Sequence, residues 1–83
     1  MKSVETKSFF RSDEEGRLVE VSFTKIDGEL TEIRVCTFFM NNAKLRSYYS
    51  KEDEEFESIR IREEAYLRNF VNWISEPPKV EKI

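Results

Sequence analysis

Arg34, Phe38, Arg46, Tyr48, Arg60 and Arg62 are the side chains of this 83-residue chain whose types and spacing could do chemistry together. Guanidinium groups contact phosphates, and aromatic rings offer platforms on which bases stack. Interleaved on one surface, they make a site for a single strand of nucleic acid, each stacked base contributing about 1–3 kcal/mol. Tyr49 adds a further ring, and Lys25 and Lys44, near the ends of a hairpin and a turn, are secondary cations. The same residues also fit an ordinary solvated sheet face with cross-strand ion pairs such as Glu32 with Arg60.

Other chemistries have little to work with. The chain has no histidine, the commonest general base and zinc ligand, and its single cysteine, Cys36, reads as a packed thiol. One cysteine also excludes an intrachain disulfide framework. With two glycines there is no glycine-rich phosphate loop. Glu52, Asp53, Glu54, Glu55 and Glu57 form an acidic run, but it lacks the glycine and alternating ligands of a calcium loop and reads as a solvated loop. No enzyme activity, cofactor or metal is expected.

Strands must position the candidate residues. Residues 2–11 alternate weakly, as an N-terminal arm or edge strand, and Ser12 to Gly16 is a turn. Leu18 to Lys25 alternates, with Val19, Val21 and Phe23 on one side and Glu20, Ser22 and Thr24 on the other. Asp27-Gly28 is a hairpin signal, because tight primed turns need positive φ. Leu30 to Met40 is the next strand, with Ile33, Val35, Thr37 and Phe39 opposed to Glu32, Arg34, Cys36 and Phe38. Asn41-Asn42 ends it, and Lys44 to Tyr49 can form a further strand.

The chain then changes period. Ile59 and Ile61 alternate with Ser58, Arg60 and Arg62, which predicts a short strand with Arg60 and Arg62 on the polar face. From Glu63 onward Tyr66, Leu67, Phe70, Val71, Trp73 and Ile74 fall three and four apart, on one side of a helix. Pro77 and Pro78 stop that helix near Ser75-Glu76, leaving residues 76–83 as a loose tail. The expected fold is α+β: a curved antiparallel sheet of four to five strands followed by one C-terminal helix, in a single domain with its core at 18–75. The apolar arc of the helix is wide for so small a sheet. Tyr66, Phe70, Trp73 and Ile74 therefore read as a homodimer interface, with an intramolecular core as the other reading.

Charge argues against indiscriminate phosphate binding. The formal net charge is −3, and no strongly basic composition advertises nucleic acid, so a local basic face must carry any such function. An acidic protein–protein interaction module is the alternative from a different class, with a protein as its partner. No apolar run reaches the length of a membrane span and the N-terminus lacks a signal-peptide core, so an intracellular protein of the cytoplasm or nucleoid is expected.

The order of hairpin, Gly28, a strand with Ile33-Arg34 followed by Phe38-Phe39, a polar loop, and then SIRIREEAYLRNFVNWI resembles the PC4-like (transcriptional coactivator p15) domain. The resemblance covers roughly residues 18–75. It implies a small ββββα unit that dimerises through its helix and neighbouring strands. It also implies binding of single-stranded DNA or RNA on the sheet face away from the helix, in transcription or DNA maintenance. Carried onto this chain, Arg34, Arg46, Arg60 and Arg62 would contact phosphates, while Phe38, Tyr48 and Tyr49 would stack bases. Whirly and PUR-repeat domains share the same ββββα logic.

Overall fold

A computed structural model describes residues 2–75. Four strands, β1 (Val4–Ser12), β2 (Leu18–Ile26), β3 (Glu29–Phe38) and β4 (Lys44–Ser50), form one open antiparallel sheet in sequence order, followed by helices α1 (Phe56–Glu64) and α2 (Val71–Ser75). The class is α+β, in ββββα order. The expected loose tail at 76–83 lies outside the described residues. No helix among the described residues is long and apolar enough to cross a membrane.

Three turns set the register, and each has a local cause. Asp13 closes the β1–β2 turn: its carboxylate accepts from the backbone N–H groups of Glu15 and Arg17 and from Arg17 Nε at 2.7 Å. Asp27 and Gly28 both take positive φ, 51° and 82°, as a two-residue primed hairpin requires. Asn42 (φ 66°) turns the chain between β3 and β4, and Asn41 Oδ1 accepts from the Ala43 N–H. Of the two readings for the N-terminal residues, arm or edge strand, the structure shows the edge strand, paired with β2 from Val4↔Ile26 to Ser12↔Leu18.

Parity along the strands places the core. Val19, Val21, Phe23, Ile33 and Val35 are buried on one face, where Phe56, Ile59 and Ile74 cover them. Phe9 stacks on Phe23 with ring centroids 6.0 Å apart, and Phe70 meets Phe9 edge-on.

The helical part corrects the sequence reading. Residues 58–62, whose alternation predicts a strand, belong to α1. Phe56, Ile59 and Glu63 are its buried positions, three and four residues apart, which is helical spacing. Ile61 is 59 % exposed, so the two isoleucines do not share a buried face. The single helix expected from Glu63 to Ser75 is interrupted instead. Turns close at Tyr66 and Leu67, whose N–H groups donate to the carbonyls of Glu63 and Glu64, and the chain re-enters helix at Val71.

Glu63 is fully buried, a costly place for a carboxylate unless it is paired and hydrogen-bonded. Arg11 supplies the pairing, with Nε on Oε1 at 2.6 Å and Nη2 on Oε2 at 2.7 Å, and Arg62 adds a second guanidinium. The hydrogen bond to Glu63 raises the Arg11 pKa, so this guanidinium stays charged. The clamp ties edge strand β1 to the end of α1.

Candidate nucleic-acid interface

Among the described residues, none covers the face of the sheet away from the helices. Antiparallel register lines its residues up in rows across the strands: Ser8, Ser22, Arg34 and Tyr48 in one, Phe10, Glu20, Cys36 and Arg46 in the next, with Phe38 opposite Lys44 beyond. All of these except Phe10 line an open groove of about 490 Å³, together with Thr6. Arg34, Phe38, Lys44, Arg46 and Tyr48, all expected to act together, are brought together here.

Cations and rings are paired within the groove. The Arg34 guanidinium lies 5.8 Å from the centroid of Tyr48, and Lys44 Nζ lies 5.3 Å from that of Phe38. Both are cation–π distances, and Tyr48 remains largely exposed. Among the described residues Arg34 has one carboxylate neighbour, Glu32, at 3.8 Å, too long for a strong hydrogen bond. Arg46 has no carboxylate within ion-pair distance among the described residues. Hydroxyls furnish the rest of the floor: Ser8 and Ser22 share a 2.8 Å hydrogen bond, and Thr6 and Thr24 one of 3.1 Å. Among the described residues three cations thus face two carboxylates, Glu20 and Glu32, so this face is locally positive on a negative chain.

Four of the expected site residues lie elsewhere. Arg60 is on α1, bonded to Glu57 and to Glu64, and its pKa is raised first by the hydrogen bond to Glu57. Arg62 is also on α1, against Glu63. The expected Glu32–Arg60 pair is therefore not formed. Tyr49 is the neighbour of Tyr48 in a strand, and neighbouring strand residues point to opposite faces, so it packs against the core. Lys25 follows the parity of Val19, Val21 and Phe23 and is 4 % exposed. Its Nζ donates to the Trp73 carbonyl and sits 4.8 Å from the Trp73 ring.

The residues expected at a dimer interface are engaged within the chain. Ile74 is buried in the core, and Phe70 and Trp73 pack edge-on against each other beside it. Trp73 Nε1 donates to Glu5 at 2.8 Å, and Tyr66 takes the Arg11 guanidinium over its ring at 4.5 Å.

Sequence reasoning missed the contribution of β1. Phe10, 60 % exposed, stands in the row of Arg46, and Ser8 in the row of Arg34. The signal was parity: once Phe9 is assigned to the core, Ser8 and Phe10 must face the other way. Cys36, expected as a packed thiol, is half-buried and lines the groove between Glu20 and Arg46. Among the described residues no group of three or more His, Cys, Asp or Glu side chains is placed to hold a metal ion. The chain matches no protein-family model, no curated protein and no solved structure.

Proposed function

We propose that this protein binds single-stranded DNA or RNA, without catalysis, on the open face of its sheet. The supporting observation is that two cation–aromatic pairs, Arg34 with Tyr48 and Lys44 with Phe38, share one groove with Arg46. A phosphate can exchange for the weak contact of Arg34 with Glu32, while exposed ring faces accept bases whatever their identity. Little sequence preference follows, because stacking uses the π-face that every base has. The four-strands-then-helix order of the PC4-like resemblance and its use of the face away from the helix are in keeping with this reading. Arg34, Lys44 and Arg46 are assigned to phosphates, and Phe38 and Tyr48 to bases.

Fluorescence anisotropy with a labelled single-stranded oligonucleotide tests the reading. Neutralising three phosphates on a single strand gives a salt slope near −2, so affinity falls roughly 20-fold between 50 and 200 mM salt. No binding at low salt, where electrostatic attraction is strongest, would sink the proposal and leave the acidic interaction module.

A further inference from the structure

The two edges of the sheet are not equivalent. In β1–β2 the hydrogen bonds from Asp27 N–H to the Ser3 carbonyl and from Asp13 N–H to the Arg17 carbonyl fix the odd residues of β1 as paired. The even residues therefore turn their backbone groups outward. Glu5, Lys7 and Arg11 alternate with them, and charges along an edge oppose strand addition. The three are also held from within the chain, by Trp73 and Glu63.

At the other edge, Lys51 N–H donates to the Thr31 carbonyl and Phe39 N–H to that of Ala43. Odd residues of β4 therefore pair with β3, and Lys44, Arg46, Tyr48 and Ser50 present their backbone groups outward. The Ser50 N–H is already taken by Asp53 Oδ2 at 2.8 Å, which leaves a short edge over residues 44–48 that no described strand pairs with. Beside it stand two largely exposed side chains, Leu45 and Tyr48.

From this edge we infer that β4 pairs antiparallel with β4 of a second copy of the chain, about a two-fold axis at Ser47. Register selects that axis. Centring on Leu45 sets Lys44 against Arg46 of the second copy, and centring on Arg46 sets Arg46 against itself; like charges directly opposite are destabilising. Centring on Tyr48 sets Arg46 against Ser50, whose N–H Asp53 occupies, and leaves only the Tyr48 self-pair fully bonded; centring on Ser47 loses the same N–H at its Lys44–Ser50 ends but keeps two complete Arg46–Tyr48 pairs. Centring on Ser47 sets Arg46 opposite Tyr48 of the second copy, a cation–aromatic pair made twice, and Leu45 opposite Tyr49, which covers the exposed leucine. The two sheets then run on as one of eight strands, with both open faces on the same side. The inference stands apart from the nucleic-acid reading and is tested without a ligand.

The test uses the full chain in a Cys36→Ser background. Ser47 faces its own copy at a non-hydrogen-bonded position, where Cα atoms lie about 4.5 Å apart, inside the range a disulfide spans. Ser47→Cys is expected to cross-link to a covalent dimer under mild oxidation, and Ser8→Cys on the β1 edge to stay unlinked. Light scattering is expected to give twice the chain mass for the parent. Leu45→Glu, on the side of the sheet away from the groove, is expected to lose the dimer while its circular dichroism spectrum is kept. A monomeric parent at hundreds of micromolar overturns the inference, as does a dimer that links at Ser8→Cys or fails to link at Ser47→Cys.

Discussion

The covered and open faces of one sheet carry cations to opposite ends. On the covered face Arg11 is bidentate on Glu63, and Lys25 is held by the Trp73 carbonyl and ring. These charges close the fold and have little left to offer a ligand. On the open face Arg34, Lys44 and Arg46 lie beside rings and hydroxyls in a groove, with Glu32 as a distant partner of Arg34. Residue type alone does not separate the two sets. Strand parity does, together with whether a carboxylate lies within hydrogen-bond reach.

Truncations should divide along the same line. Phe23→Ala removes a fully buried ring and is expected to cost about 3–5 kcal/mol of stability in denaturant titration. Tyr48→Ala, the matching change on the open face, is expected to shift stability by less than about 0.5 kcal/mol. Its effect should fall on nucleic-acid affinity, by about 1–3 kcal/mol if one base stacks there. Comparable losses of stability from both variants would erase the distinction between the faces.

Arg11→Ala sharpens it further. Removing one partner of a buried pair costs about 3–5 kcal/mol, and the lower end is expected because Arg62 still reaches Glu63. Affinity, measured where the variant remains folded, should not change.

Acid gives the smallest of these stability effects. The side-chain hydrogen bond from Arg17 holds the Asp13 carboxyl below its usual range. A depressed folded pKa stabilises the fold above the unfolded value, near 4, and that contribution disappears as pH falls through the folded value. Asp13→Asn should therefore flatten the acid limb of the stability profile below about pH 4. An unchanged acid limb would mean that the turn is held by its backbone alone.

The strands and their faces were legible in the sequence because period-two alternation, Asp27-Gly28 and Asn41-Asn42 are local signals. The start of the helix was not. Its buried positions are Phe56, Ile59 and Glu63, and the third is a carboxylate that only the distant Arg11 makes tolerable. A charged residue in the apolar stripe hid the helical period, while Ile59 and Ile61 imitated a strand. Arg60 and Arg62 were carried onto the wrong surface with them. The break after Glu64 has no glycine or proline to announce it. On the open face the five groove residues could be found by alternation, and the same rule, applied to adjacent Tyr48 and Tyr49 or to Lys25 after Phe23, would have removed two of the four misplaced residues.

The most direct measurement compares Arg34→Gln with Arg60→Gln, each removing one positive charge, in anisotropy titrations against the same single-stranded oligonucleotide at low salt. Binding on the open face predicts about a tenfold or greater loss for Arg34→Gln, the range of one charge-assisted contact, and less than about a twofold change for Arg60→Gln, whose guanidinium lies on α1 beside Glu57 and Glu64. Equal losses, or the larger loss at Arg60, would contradict the account.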